Sequence, residues 1–275
     1  MRINLAKSAG FCFGVKRALK IALDSASCAD DIEMLGDIVH NNNVVKQVNK
    51  AGIKTITRLH CGKNKKLLIR AHGSSLKTLR KARSLGYEIV DATCPMVCEI
   101  HKIAIKMERN GYNIIVIGDK KHDEVLGIVG QLKSKVLVID AKEKVPFVKW
   151  NKVAIVVQST QDTDKVQKVV DQLKKNIKNV QFFNTICNPT ITKQKEIKSM
   201  ACANDVMVII GSKTSANTKR LHEISKSINK CSYWIESKSQ IKSNWFSQVK
   251  TVGITAGAST PDDTTSDVIK YIKNL

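Results

Sequence analysis

The strongest constraint on the fold is a regular alternation of apolar runs with amphipathic segments of helix length. The runs are rich in β-branched residues, which favours strands buried on both faces. They occupy residues 33–40, 67–73, 88–94, 113–119, 152–160, 205–213 and 251–259. The segments between them place apolar residues three and four apart, as in SLKTLRKARSLG at 75–86 and TDKVQKVVDQLKKNI at 163–177. This alternation predicts an α/β fold with mostly parallel sheets.

Glycines mark the ends of three predicted helices. Gly52, Gly86 and Gly111 each stand between a helical pattern and an apolar stretch. Because glycine tolerates the left-handed backbone conformation that closes a helix, we expect the three helices to end there.

The length of the chain sets the domain prediction. A chain of 275 residues can bury a substantial core without metals or disulfides. We predict three similar α/β lobes around a shared centre, at 1–93, 94–186 and 187–275. No segment approaches the roughly 18 consecutive apolar residues of a membrane span, and the first residues lack a signal-peptide core. We therefore expect a cytoplasmic protein.

The chain is strongly basic, with 46 Lys and Arg against 24 Asp and Glu and a formal net charge of +22. Such an excess favours a polyanion, a phosphorylated substrate or an acidic protein as partner. The charges are spread along the chain, many on amphipathic helices, so a solvated surface explains them equally well. A nucleic-acid-binding protein is a rival interpretation, but aromatic residues make up only 5% of the chain, too few for an obvious stacking platform.

Eight cysteines occur without a CxxC pair. In a reducing compartment they are metal ligands, catalytic thiols or core residues more often than disulfides. Cys12 lies in GFCFGVKRA just before a basic amphipathic helix, whereas Cys94 and Cys187 follow apolar segments and are followed within two residues by proline. A helix start stabilises a thiolate, but the residues alone leave ligation and packing open for all three. Cys98 would share a helix face with Cys94 and is predicted to be a core residue.

Polar residues stand where the predicted strands end, the edge at which parallel sheets bind their ligands. They are His40, His72, Cys94, Ser159, Ser212 and Ser259. An H-x-E triplet at 122–124 also follows a strand. The zinc-deaminase signature that it suggests needs a later P-C-x-x-C, whereas Cys94-Pro95 precedes it in reversed order; a charged loop is the other interpretation.

Two turns rich in small and hydroxyl residues each open a helix. They are SKTSANT at 212–218 and TAGAST at 255–260. Their backbone N–H groups and hydroxyls suit a phosphate, although the same residues also serve as simple helix caps.

Nine segments together resemble the 4-hydroxy-3-methylbut-2-enyl diphosphate reductase family, in order and at similar spacing over nearly the whole chain. They are GFCFGVKRA, GDIVHN, RAHG, VDATCP, HDEVLGIVGQ, QST, TIC, GSKTSANTKRL and TAGAS. The resemblance implies a three-lobed α/β fold around one 4Fe–4S cluster. Its ligands would be Cys12, Cys94 and Cys187 only, which leaves the fourth iron open.

The same resemblance implies roles for the other site residues. Glu124 would deliver the proton with which a substrate hydroxyl leaves as water. The substrate would be surrounded by His40, His72, His122, Ser159, Thr160, Ser215, Ala216, Asn217 and Ser259. Of these, Ser215, Asn217 and Ser259 would hold its diphosphate.

The chain departs from the family pattern at three positions. Ser159 stands where threonine is usual, and Ala216 replaces a serine, so any contact there must come from its backbone. Asp123 stands where proline is common. Burial and the charge of Asp123 are both expected to raise the pKa of Glu124.

The activity that the resemblance implies is the two-electron, two-proton dehydroxylation of (E)-4-hydroxy-3-methylbut-2-enyl diphosphate to isopentenyl and dimethylallyl diphosphates. It is the last step of the non-mevalonate isoprenoid pathway. No glycine fingerprint for a bound dinucleotide is present, so a ferredoxin or flavodoxin is expected as electron donor, with no nucleic-acid or membrane partner. A redox or metal sensor is the remaining rival, against which Glu124 and the phosphate turns argue.

Overall fold

Three four-stranded sheets organise the chain in the computed structural model, which describes residues 1–28 and 31–275. The strands are β1 (Arg2–Leu5), β2 (Ile32–Leu35), β3 (Lys54–Ile56), β4 (Lys66–Ile69), β5 (Glu88–Asp91), β6 (Asn113–Ile117), β7 (Leu137–Ile139), β8 (Lys152–Val157), β9 (Asn179–Phe182), β10 (Val206–Ile210), β11 (Ser232–Ile235) and β12 (Thr251–Ala256). All neighbouring strands pair in parallel, so the predicted α/β class is confirmed.

Helices connect the strands, as parallel pairing requires. In the described residues they are α1 (Phe13–Ser27), α2 (Asn42–Lys50), α3 (Leu76–Ser84), α4 (Pro95–Arg109), α5 (Asp123–Val129), α6 (Thr163–Asn176), α7 (Asn188–Ala203), α8 (Ala216–Ile228) and α9 (Asp262–Lys273), with 3₁₀ turns at Lys238–Gln240 and Ser243–Phe246. None of these helices has the length and apolarity that crossing a bilayer demands.

One strand order repeats in the three sheets. Sheet B runs β3-β2-β4-β5, sheet C runs β7-β6-β8-β9, and sheet A runs β11-β10-β12-β1. Numbered by their place in the repeat, the strands lie second, first, third, fourth, and β1 takes the fourth place beside the C-terminal strands. The predicted similarity of three lobes is thereby confirmed, whereas the boundaries 1–93, 94–186 and 187–275 stay predictions.

The chain packs into two compact units. One comprises Met1–Lys16, Val39–Lys46 and Asn188–Leu275, and contains sheet A; the other comprises Arg17–Ile38 and Gln47–Cys187, and contains sheets B and C. The first and third strands form the core of each sheet; every residue of β10, for example, is buried.

The three helix-ending glycines have the backbone conformation that the sequence predicts. Gly52, Gly86 and Gly111 have φ of 101°, 91° and 76°. Most side chains are strained in this region, so the end of each helix is fixed by its glycine.

Candidate functional site

Cys12, Cys94 and Cys187 occupy the same position relative to their own sheets. Each follows the fourth, edge strand of a sheet and immediately precedes a helix: α1, α4 and α7. Cys94 is the N-cap residue of α4, and Pro95 begins the helix. All three side chains are half-buried. The fold thus presents one thiol at the start of one helix in each repeat, where a thiolate is stabilised.

The backbone N–H of each of these cysteines makes the same kind of hydrogen bond. Each N–H donates to a carbonyl two residues beyond the end of the third strand of the same sheet. The bonds are Cys12 to Ala258 (3.1 Å), Cys94 to Ala71 (3.0 Å) and Cys187 to Ser159 (3.0 Å). The donor set and its repeated geometry fit thiolate ligands of an iron–sulfur cluster.

The other five cysteines lack this arrangement. Cys28, Cys61, Cys202 and Cys231 are exposed. Cys98 is half-buried one turn into α4, and burial raises the pKa of its thiol, which favours the protonated form. These environments are consistent with Cys98 as a packing residue.

A glycine follows the first strand of each sheet, at a point where a neighbouring side chain packs closely against the backbone. Gly36, Gly118 and Gly211 donate to the carbonyls that end the second strands, Ile56, Ile139 and Ile235, at 2.9–3.0 Å. A Cβ on the three glycines would lie 2.8 Å from Arg70, 2.7 Å from Val125 and 2.6 Å from Thr218, respectively. None of these three glycines was predicted as a site residue. The sequence does mark them, because three of the apolar runs contain a glycine directly after the strand.

Glu124 lies buried near the start of α5, with 2% of its surface exposed. Its carboxylate accepts hydrogen bonds from the backbone N–H (2.6 Å) and the hydroxyl (2.8 Å) of Ser159. Burial raises the pKa of Glu124 to about 7, against the two Ser159 bonds, which lower it. A carboxyl with this pKa can hold and release a proton near neutral pH.

The expected influence of Asp123 on Glu124 needs correction. The neighbouring carboxylate that raises the pKa of Glu124 is that of Asp119. Asp123 instead forms an ion pair with Arg70, whose guanidinium lies 2.7 Å from its carboxylate. The positive charge of Arg70 offsets that of Asp123.

Gln158 organises the turn that carries Ser159 and Thr160. It is fully buried. Its side-chain oxygen accepts from the backbone N–H of Asp119 (2.8 Å) and from Gln161 (3.0 Å), and its amide nitrogen donates to the Thr160 hydroxyl (3.1 Å). The network holds both hydroxyl residues of QST in one arrangement.

His72 and His122 lie edge to face, with ring centroids 5.5 Å apart. His122 is the N-cap of α5, where its Nδ1 accepts from the backbone N–H of Glu124 at 3.2 Å. His72 lies in the turn after β4, and a Cβ at Gly127 of α5 would come within 3.3 Å of its carbonyl. The structure brings these two predicted residues together beside Glu124.

His40 and Ser259 meet in the other unit. The Ser259 hydroxyl donates to the His40 carbonyl at 3.4 Å, and Ser259 is buried, whereas His40 is half-buried.

The predicted phosphate turn opens α8. Ser215 is the N-cap, and its hydroxyl accepts from the backbone N–H of Thr218 at 3.3 Å. Ala216 and Asn217 follow in the first turn and are buried. Within the described part of the chain, neither amide atom of Asn217 has a hydrogen-bond partner. Because a buried, unsatisfied amide is costly, this side chain is suited to a polar ligand.

Comparisons with known proteins find the same family along nearly the whole chain. The family described as LytB protein matches residues 3–273. A 4-hydroxy-3-methylbut-2-enyl diphosphate reductase of Campylobacter fetus is 41% identical over 278 residues, covering 100% of this chain and 98% of the relative. One of Geotalea daltonii, with the same name, is 39% identical over 276 residues, covering 100% and 98%.

Two solved structures share the fold. One is an (E)-4-hydroxy-3-methyl-but-2-enyl diphosphate reductase described as the terminal enzyme of the non-mevalonate pathway, with 36% identity, a TM-score of 0.72 and full coverage of both chains. The other is the E-1-hydroxy-2-methyl-but-2-enyl-4-diphosphate reductase of Plasmodium falciparum, with 26% identity, a TM-score of 0.89, and coverage of 98% of this chain and 87% of that one. With the family match across the chain, these similarities establish that the chain belongs to the LytB protein family.

Proposed function

We propose that the chain catalyses the reductive dehydroxylation of (E)-4-hydroxy-3-methylbut-2-enyl diphosphate. Two electrons and two protons enter, the carbon–oxygen bond of the allylic alcohol breaks, and water leaves with isopentenyl or dimethylallyl diphosphate as product. The observation that carries the proposal is the repeated position of Cys12, Cys94 and Cys187. Each is half-buried at a helix start, with its amide bonded to the equivalent turn of its own sheet.

These three cysteines would hold one 4Fe–4S cluster, with a fourth iron that has no protein ligand. When bound, such a cluster supplies electrons and a Lewis-acidic iron. The backbone bond of each cysteine holds the main chain from which its thiol projects, which supports this ligand assignment.

Glu124 would provide the proton on which departure of the hydroxyl depends. Its buried carboxyl has a pKa of about 7, so the protonated form is well populated at neutral pH. Ser159 fixes the carboxyl through two hydrogen bonds. Hydroxide is a poor leaving group, and protonation by a positioned acid converts it to water.

The remaining residues would bind substrate. Ser215, Asn217 and Ser259 would offer hydroxyl and amide groups to the diphosphate, and Ala216 would contribute its backbone N–H at the start of α8. His40, His72, His122 and Thr160, with Ser159, would surround the rest of the molecule.

The electrons would come from a ferredoxin or flavodoxin. Proteins of this kind are small and acidic, and the net charge of +22 would favour their association.

The first experiment tests the cofactor and the reaction together. Anaerobically reconstituted protein should bind about four iron and four sulfide per chain, absorb broadly in the visible, and convert the allylic diphosphate to both products. Iron-loaded protein that leaves the diphosphate unchanged would contradict the activity.

The second experiment tests the ligands. Serine at Cys12, Cys94 or Cys187 should abolish the chromophore or make it labile. Serine at the exposed residues Cys28, Cys61, Cys202 or Cys231 should leave iron content near wild type. Loss of the cluster in Cys98→Ser would show the ligand assignment to be wrong.

A further inference from the structure

Lys193 is a buried lysine whose ammonium group contacts the loop that leads to Cys12. It lies on α7 and is 3% exposed. Its Nζ donates to the carbonyls of Ser8, Gly10 (3.1 Å) and Ala256 (3.1 Å). Three carbonyls match the three N–H donors of an ammonium group. Ser8 and Gly10 belong to residues 6–12, the Cys12 loop, which connects β1 to α1. Ala256 ends β12, the strand that pairs with β1.

The same helix also binds the amides of this loop. Glu196, three residues after Lys193, accepts from the backbone N–H groups of Lys7 (2.6 Å) and Ser8 (3.0 Å) and from the Ser8 hydroxyl. Burial by itself would raise the pKa of Glu196, but these bonds and the charge of Lys193 lower it overall. Two charged side chains of α7 therefore bind the loop, one through its carbonyls and the other through its amides.

The loop has little freedom to adopt another shape. Gly10 has φ of 85°, and a Cβ there would lie 2.6 Å from the carboxylate of Asp262. The N–H of Gly10 donates to Ala256 (3.3 Å), and that of Cys12 to Ala258 (3.1 Å). Lys193 binds the carbonyls of Ser8 and Gly10, four and two residues before Cys12, so it fixes the backbone that leads to the thiol.

A buried cation is costly, and a neutral side chain of similar length would fill the same space without that cost. A positive charge bound to the segment that carries Cys12 would favour the more negative, reduced state of an anionic cluster.

We propose that Lys193 is a positioning residue for the cluster: it holds the Cys12 loop in the ligating conformation, and its charge favours reduction. The inference rests on the proposed function and assigns to α7 a role in retaining and tuning the cofactor. Lys193 touches neither substrate nor reacting atoms in this role.

The test compares Lys193→Met, Lys193→Arg and the control Lys195→Met, whose lysine is exposed on the same helix. Circular dichroism and thermal unfolding first establish that each variant folds. The readouts are iron and sulfide content, the rate of cluster loss to a chelator, and the midpoint potential from an anaerobic redox titration.

Lys193→Met should lose its cluster about 10- to 100-fold faster than wild type, the range typical of residues that support metal ligands. Its midpoint potential should be lower. Lys193→Arg should keep the midpoint potential of wild type, because it keeps the charge. It should still lose the cluster faster than wild type, since its planar guanidinium cannot reach the same three carbonyls. Lys195→Met should match wild type in both.

Equal cluster loss and equal potential in Lys193→Met and Lys195→Met would overturn the inference and leave Lys193 as a structural contact. If Lys193→Met does not fold, Lys193→Arg against wild type decides, and an unchanged rate of loss overturns the inference. Wild-type protein that binds no cluster would overturn the proposed function itself, and this inference with it.

Discussion

The guanidinium of Arg70 lies 2.7 Å from the carboxylate of Asp123, and this ion pair joins the end of β4 to the first turn of α5. Both side chains are mostly buried, with 21% and 27% of their surface exposed. Gly36 leaves the space that the guanidinium fills, since a Cβ there would lie 2.8 Å from it. The pair therefore fixes the start of α5, which carries Glu124 and is capped by His122.

Removing the arginine should change both stability and proton affinity. Arg70→Met removes a positive charge that offsets the carboxylate of Asp123 beside Glu124, so the pKa of Glu124 should rise. The free energy of unfolding should fall by about 1–3 kcal/mol, because a mostly buried ion pair is broken. Urea unfolding and the pH profile of single turnover measure the two effects. Arg70→Met/Asp123→Asn should return the pH midpoint toward wild type; a midpoint that stays raised in the double variant would exclude Asp123 as the cause.

Glu124 should govern the alkaline limb of activity. Its pKa of about 7 means that the rate should fall as pH rises through 7, where the acid loses its proton. Glu124→Gln should slow single turnover about 10²- to 10⁴-fold and abolish this limb, without losing the cluster. Substrate-induced spectral shifts should persist. Near-normal turnover would remove Glu124 from the mechanism, and loss of the shifts would make it a binding residue.

The same pKa has a consequence for stability. The folded value of about 7 lies above the ordinary 4.5, so the folded state binds the proton more tightly than the unfolded state. The contribution of Glu124 to the free energy of unfolding is complete below pH 4.5. It decreases as the pH rises through 7, by up to about 3 kcal/mol in total. Glu124→Gln should therefore flatten the dependence of the unfolding free energy on pH between 5 and 8.

Asn217 should contribute to diphosphate binding. Asn217→Ala removes an amide that has no hydrogen-bond partner among the described residues. The substitution should therefore weaken ligand binding without breaking a hydrogen bond within the described part of the protein. Affinity for inorganic pyrophosphate, measured by calorimetry, should weaken about 5- to 100-fold, the equivalent of one buried hydrogen-bonding group. Asn217→Asp should weaken it further by like-charge repulsion, while iron content stays unchanged. The control is Asn176→Ala, at an exposed position; equal affinities in Asn217→Ala and this control would contradict the assignment.

The buried strands could be predicted from the sequence, whereas several edge strands could not. All seven apolar runs overlap a strand, because β-branched and other apolar residues in a row leave a continuous pattern even where the strand is only half-buried, as β5 is. The segments of β1, β7, β9 and β11 are short, and β1 and β9 mix polar with apolar residues. Such segments become strands through pairing, as β1 does with β12, and pairing partners cannot be read from local sequence.

In the candidate site, too, some features could be predicted from the sequence and others could not. Ser159 and His72 became candidates because they follow predicted strands, the edge at which parallel sheets collect their ligands, and their roles stay predictions. The sequence did not allow prediction of the contact between Arg70 and Asp123, or of the contacts between Lys193 and the Cys12 loop. They join segments 53 and more than 180 residues apart, and no periodicity or motif specifies such distances.

The net charge of +22 should act on the electron donor rather than on the chemistry. Association of a basic protein with an acidic ferredoxin or flavodoxin is accelerated by long-range attraction, which salt screens as the Debye length falls below about 10 Å. Turnover driven by the protein donor should therefore slow steeply as salt rises above about 0.1 M. Turnover driven by a small chemical reductant should change much less, because it needs no docking between charged surfaces. Measuring both assays on one preparation controls for any effect of salt on cluster or substrate. Equal salt sensitivity in the two would assign the positive charge to solvation alone.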